Sequence, residues 1–170
     1  MIAATDIKEF EIGLGMMMIV KRPSILSIAG IGSCIALVMR DEATRASGLA
    51  HIVLPSSTNM DDAYRTPGKY SDTAVRALIR GLLRSGASLT HIKSKMVGGG
   101  RVLQGGGFDG TRNVESTRNE LKRAGVNIVA EDVGQIYGRS MKFETATGKV
   151  VVRRFRQTSV GAELKDVLVI

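Results

Sequence analysis

Residues 30–38 read Gly30-Ile31-Gly32-Ser33-Cys34-Ile35-Ala36-Leu37-Val38, a turn of small residues that carries the only cysteine and runs straight into an apolar segment. A second apolar run, Gly48-Leu49-Ala50-His51-Ile52-Val53-Leu54-Pro55, encloses one of the two histidines. The polar connector between them, Arg40 to Gly48, suits a hairpin. Apolar residues fall on both parities of both runs, so the hairpin is expected in a sheet covered on both faces. Side chains alternate along a strand, which sets a geometric condition: Cys34 and His51 share a face when an even-numbered residue such as Ala36 pairs opposite His51. The other register separates them.

A thiol in a glycine-rich turn and an imidazole in the next apolar segment are the parts of a Cys-His nucleophilic site. Glycines around the thiol allow consecutive N–H groups to converge on one point, so the backbone at Gly32 and Ser33 is the candidate oxyanion support. The other histidine, His91, lies beside Lys93 and Lys95 and reads as exposed and incidental.

Outward from this pair, residues 1–11 are polar and read as a loose arm, and Gly13 to Val20 and Ser24 to Ala29 read as buried strands. Ser56 to Lys69 reads as loop. From Asp72 the period becomes helical, with Val75, Leu78, Ile79, Leu82 and Leu83 on one stripe and Arg76, Arg80 and Arg84 on the other side, ending at Gly86. Leu89 to Val97 reads as a strand. Thr111 to Ala124 is a second helix, with Val114, Thr117 and Leu121 at helical spacing and Gly125 to stop it. Val126 to Ala130 is a short strand and Glu131 to Gly138 a loop. Arg139 to Thr145 and Lys149 to Phe155 bracket a hairpin turn at Ala146-Thr147-Gly148. Within the tail 156–170, Ala162 to Ile170 is either an edge strand or a docking segment.

Between the second strand group and the second helix lie Gly98-Gly99-Gly100-Arg101 and Gly105-Gly106-Gly107-Phe108-Asp109-Gly110. A G-x-G-x-x-G match can be drawn through them, but no Gly-Lys-Ser/Thr follows and the strand-turn-helix unit is stretched. A lid or substrate-facing loop is the expected use, with nucleotide binding as the alternative.

Composition narrows the classes. A chain of 170 residues with 44% apolar content is expected to form one domain over 1–170. One cysteine excludes an internal disulfide and removes cysteine-based zinc sites, which fits a reducing compartment, the cytoplasm, with no metal or cofactor expected. No stretch approaches the roughly 20 apolar residues that cross a bilayer, so direct membrane insertion is not expected. The run Gly13 to Val20 follows Asp6, Glu9 and Glu11 and does not read as a signal peptide. The net charge of +8 raises nucleic acid, anionic membrane or an acidic protein as partner. Its basic residues are dispersed and aromatics are 4%, so stacking platforms are lacking and an acidic protein partner is favoured over nucleic acid.

Five ordered segments carry a family resemblance: Gly30 to Cys34, Ala50 to Pro55, Pro67-Gly68-Lys69-Tyr70-Ser71-Asp72-Thr73-Ala74-Val75, Arg112-Asn113-Val114, and Thr147-Gly148-Lys149-Val150. Over roughly Glu11 to Phe155 the chain resembles CheD, the chemoreceptor glutamine deamidases of bacterial and archaeal chemotaxis. The resemblance implies an α/β fold, a sandwich of β-sheets with helices packed on one side, related to the catalytic domains of cytotoxic necrotising toxins. It implies cytoplasmic helices of chemoreceptors as substrate and a CheC-type CheY phosphatase as partner.

Carried over by position, Cys34 matches the nucleophile and His51 the base. The family's third catalytic member, a threonine, falls at Ile28, and the nearest hydroxyl is Ser27. Neighbouring side chains in a strand point to opposite faces, so Ser27 substitutes only through a bulge or shift. Ser27, another hydroxyl such as Ser56, or a backbone carbonyl are the candidates for orienting the imidazole. Arg101-Val102-Leu103 and Gln135 also depart from the family pattern, where small residues, Met-Phe and glycine are usual, and bear on substrate preference. The alternative function is a weakly active or inactive regulatory module that docks the phosphatase.

Overall fold

In a computed structural model the chain is described over residues 7–102 and 110–170. Those residues form two mixed five-stranded sheets and three α-helices. The strands are β1 (Lys8–Glu11), β2 (Met17–Val20), β3 (Ser24–Ile31), β4 (Ile35–Asp41), β5 (Ser47–Ile52), β6 (Ile92–Gly98), β7 (Asn127–Val133), β8 (Gly138–Glu144), β9 (Val150–Thr158) and β10 (Gly161–Val169). The helices are α1 (Met60–Arg65), α2 (Ser71–Arg84) and α3 (Thr111–Ala124). One sheet has the order β1-β3-β8-β9-β10 and the other β2-β5-β4-β6-β7.

The β4/β5 hairpin explains the layering. Its odd-numbered β4 residues Ile35, Leu37 and Met39, with Ala50 and Ile52 of β5, pack against Ala74, Val75, Leu78 and Leu82 of α2 and Val114 and Leu121 of α3. Ala36, Val38 and Leu49 point the other way and meet Leu26, Ile28, Met141, Phe143, Val150 and Val152 of the opposing sheet. One apolar run therefore feeds two cores, as its double-parity pattern predicts. Helices α2 and α3 lie on one face of one sheet, so the order of layers is helices, sheet, sheet.

Both long helices end as their sequences indicate. Gly125 takes φ 71° after α3, the left-handed cap that glycine adopts without strain, while α2 closes on Ser85 just before Gly86. On α2, Val75, Leu78 and Leu82 are buried, whereas Leu83 is exposed.

Several expectations are corrected. Residues 8–11 are not part of a loose arm: they form β1, which pairs in parallel with β3 from Lys8↔Ser24 to Glu11↔Ser27. The stretch 56–69 contains α1, capped by Asn59, whose side chain accepts hydrogen bonds from the N–H groups of Asp61 and Asp62, and a 3-10 turn at Pro67–Lys69. Ala63 is the only buried residue of α1, so no apolar period betrays it. Strand β7 runs on to Val133, leaving a shorter loop before β8. The C-terminal choice resolves as an edge strand, because β10 pairs antiparallel with β9 and closes no further neighbour.

Candidate active site

The register condition is met: Ala36 pairs with His51. Leu49, on the same side of β5 as His51, belongs to the core between the sheets, and Cys34 packs against that same core. The thiol and the imidazole therefore share the face of the hairpin turned toward the opposing sheet. The ladder ends at Ile35↔Ile52, so Cys34 lies just beyond it, in the turn that follows β3.

The histidine is held from two sides. Its backbone pairs with the turn before β2, Gly15 N–H donating to the His51 carbonyl at 2.9 Å and His51 N–H to the Met16 carbonyl at 2.9 Å. Its Nδ1 lies 3.2 Å from the Ile12 carbonyl oxygen. A carbonyl can only accept, so Nδ1 carries the proton and Nε2 keeps its lone pair. That Nε2 is buried and bonds no protein group among the described residues. Only 3% of the residue is exposed.

Electrostatics keep both groups neutral. Burial lowers the His51 pKa below its usual value near 6.5, and the Ile12 hydrogen bond offsets this only in part. Burial raises the Cys34 thiol above the ordinary thiol range. Cys34 itself is half-buried.

The turn carrying Cys34 is anchored through three successive carbonyls. Gly100 N–H donates to the Gly32 oxygen at 2.9 Å, Asn113 Nδ2 to the Ser33 oxygen at 2.9 Å, and Gly99 N–H to the Cys34 oxygen at 2.7 Å. In a trans peptide the carbonyl and the following N–H point in opposite directions. Tying back the oxygens of Gly32 and Ser33 therefore turns the N–H groups of Ser33 and Cys34 away from those anchors. None of the Gly32, Ser33 and Cys34 amides donates a hydrogen bond to a group among the described residues.

Not every candidate meets the pair. Ser27 lies on the outer face of β3, with its hydroxyl 3.5 Å from the Phe10 carbonyl, and the structure does not bring it to the imidazole. Its neighbours Leu26 and Ile28 point into the core between the sheets, so Ser27 necessarily points out of it. Ile28 is 1% exposed and puts no hydroxyl there. Ser56 is exposed on the helix side. The group that contacts the ring is the Ile12 carbonyl, a partner that sequence alone names only as "a backbone carbonyl". Asn113 enters the sequence reading only within the Arg112-Asn113-Val114 segment, without a place at the site. Its signal was available, because a polar residue at position 113 falls on the same helical stripe as Thr117 and Leu121.

The glycine-rich segment is used for packing as far as it is described. The amides of Gly99 and Gly100 are committed to Cys34 and Gly32, so these two donors are not open to a phosphate. Val102 covers Gly32, its Cγ2 lying 3.5 Å from where a Gly32 Cβ would stand. The lid expected of this segment falls mostly on residues 103–109, outside the described residues. Beside it, Gln135 takes φ 63° and accepts from Arg101 N–H at 2.8 Å, which accounts for the glycine usual at that place in the pattern. His91 is exposed, as expected.

Residues 53–154 match the family model described as CheD chemotactic sensory transduction. The chain is also 38% identical over 144 residues to a protein of Thermotoga maritima named chemoreceptor glutamine deamidase CheD, covering 84% of this chain and 90% of that protein. The chain belongs to the CheD family. A CheD relative from Symbiobacterium thermophilum, named probable chemoreceptor glutamine deamidase, is 37% identical over 83% of this chain and 89% of its own length. An archaeal CheD from Pyrococcus abyssi with the same name is 34% identical over 86% and 92%. Among the described residues no helix is long and apolar enough to cross a membrane.

Proposed function

We propose that this protein is a glutamine deamidase of chemotaxis, converting glutamine side chains on the cytoplasmic helices of chemoreceptors to glutamate, with Cys34 as nucleophile and His51 as base. The observation that carries it is the imidazole: Nδ1 is engaged by Ile12, and the free lone pair of Nε2 lies on the face that Cys34 shares. The names carried by the CheD relatives support the substrate class.

His51 Nε2 takes the Cys34 proton as the sulfur attacks the carboxamide carbon. The oxygen that becomes negative is stabilised by the N–H groups of Ser33 and Cys34, with the Gly32 amide beside them; losing one such donor typically costs about 10²–10³-fold in rate. The imidazolium returns its proton to the nitrogen as the carbon–nitrogen bond breaks, and ammonia leaves. Water, deprotonated by the same imidazole, then attacks the thioester. The carbon–sulfur bond breaks, glutamate is released, and the thiol regains its proton.

The test is mass spectrometry of receptor peptides incubated with wild-type and Cys34→Ala protein. A gain of about one dalton per modified glutamine is expected for wild type alone, as replacement of an amide by an acid requires. Conversion by the Cys34→Ala protein would overturn the assignment.

Ile28 favours a second reading, because the resemblance places a hydroxyl there and this chain has none. In that reading the fold persists as a regulatory module docking a CheC-type phosphatase. Phosphatase binding without any mass change in receptor peptides would select it.

A further inference from the structure

The β4/β5 ladder stops at Ile35↔Ile52, and the next residues outward are Cys34 and Val53. At that open end, where pairing by backbone has ceased, the Asn113 side chain is inserted. Its Nδ2 donates to the Ser33 carbonyl at 2.9 Å and to the Val53 carbonyl at 3.0 Å. One primary amide nitrogen bears two hydrogens, and both are used. We infer that Asn113 is a positioning residue for the deamidation, a side-chain clamp that replaces the missing ladder rung and sets both the aim of the Cys34 N–H and the spacing between the nucleophile turn and the strand carrying the base. The inference rests on the deamidase reading above.

Three observations support it. Of the three anchors on the carbonyls of residues 32–34, two come from backbone amides and only this one from a side chain. It is also the only one that reaches the segment following His51. Finally, the donor is itself immobilised. Asn113 is 5% exposed in the first turn of α3, and its own carbonyl accepts from Thr117 Oγ1 at 2.8 Å, which in turn lies 2.9 Å from Ser71 Oγ of α2. A group fixed in this way transmits the position of the helices to the two reacting segments without touching substrate. Misplacement by about 1 Å can cost on the order of 100-fold in rate.

The experiment compares wild type with Asn113→Ala in two measurements on the full chain: steady-state ammonia release from a receptor glutamine peptide, and amide hydrogen exchange read by mass spectrometry. The expected result is a fall in kcat of about 10- to 100-fold with KM within about twofold, together with exchange accelerated in both segments 30–36 and 50–56. A loss confined to KM, or kcat within about twofold of wild type, overturns the proposal. If the wild type itself releases no ammonia, the deamidase reading has failed, and the clamp is then judged on exchange alone: acceleration in both segments supports it, and no change in one of them overturns it. Should Asn113→Ala fail to fold, Asn113→Ser, which refills part of the volume but cannot reach both carbonyls, carries the same measurements. Failure of both to fold makes Asn113 a core residue and overturns the proposal.

Discussion

Ala36 sits directly across from His51 in the antiparallel ladder, and this single pairing puts the imidazole on the face turned toward the opposing sheet. A slip by one residue would send the imidazole into the helix-side core with Ala50 and Ile52, away from Cys34. In the proposed mechanism the two groups act as one unit, so loss of either should be nearly complete. Cys34→Ala and His51→Ala are each expected to lower ammonia release by about 10³-fold or more, with circular dichroism unchanged for the cysteine variant. His51→Ala also leaves a cavity and an unpaired Ile12 carbonyl, so its melting temperature should fall as well. Retention of more than a few per cent of activity by either variant would break the unit.

The neutral resting state gives a pH prediction. His51 titrates below 6.5 because burial opposes its charged form, so the base becomes competent as pH rises through a value lower than that. The acid limb of kcat/KM should therefore lie below pH 6.5, with a plateau through neutrality. Cys34 is pushed upward by burial, so alkylation by iodoacetamide should keep rising with pH beyond the ordinary thiol range. Rapid alkylation that is already saturated at pH 7 would reveal a thiolate–imidazolium pair and contradict the neutral resting state.

Sequence patterning made the hairpin legible because its apolar residues on both parities admit one physical solution, a strand buried on both faces. The position of Cys34 relative to His51 followed from strand periodicity once the register was specified. The orienting contact to the ring was not legible, since a carbonyl such as that of Ile12 belongs to every residue and leaves no mark in composition. Strand β1 was hidden for a different reason. Its residues Lys8 to Glu11 pair on one side only, and an edge exposed to solvent tolerates the charges that read as an arm. Asn113 is hidden because a single polar side chain on a helical stripe shows the helix and not the carbonyls of Ser33 and Val53 that it reaches.

The two sheets are also joined by charge. Asp132 of β7 binds Arg139 of β8 at 2.9 Å and Arg154 of β9 at 2.7 Å, with Asp132 6% exposed and the Arg139 side chain fully buried. Burial alone would raise the Asp132 pKa, but hydrogen bonds and charge from Arg154 and Arg139 outweigh it and hold the carboxyl below 3.8. A folded pKa below the unfolded one contributes stability that is present above the unfolded value, near 3.9, and lost as pH falls through the folded one. Asp132→Asn leaves Arg139 buried without its partner and should cost about 3–5 kcal/mol in urea unfolding at pH 7. The variant should also lose part of the wild type's decline in stability below pH 5. An unchanged acid slope would show that the pair is energetically silent.

Gly98 tests what the glycine-rich segment is for. Its φ of 120° is a conformation that side chains rarely adopt, and a Cβ placed there would stand 2.2 Å from the Cys34 carbonyl oxygen and 2.5 Å from Ile31 Cγ2. Neither neighbour can retreat cheaply, because the Cys34 oxygen is held by Gly99 N–H and Ile31 is packed between the sheets. Gly98→Ala should therefore destabilise the protein by about 2–4 kcal/mol and, at a temperature where it remains folded, displace the Cys34 turn and reduce deamidation. If the segment served nucleotide phosphates instead, ATP or GTP would raise the wild-type melting temperature and the variant would lose that shift. The amides of Gly99 and Gly100 are already spent on the Cys34 turn, so no nucleotide-dependent shift is expected in a thermal unfolding assay, and a shift of several degrees would reassign the segment.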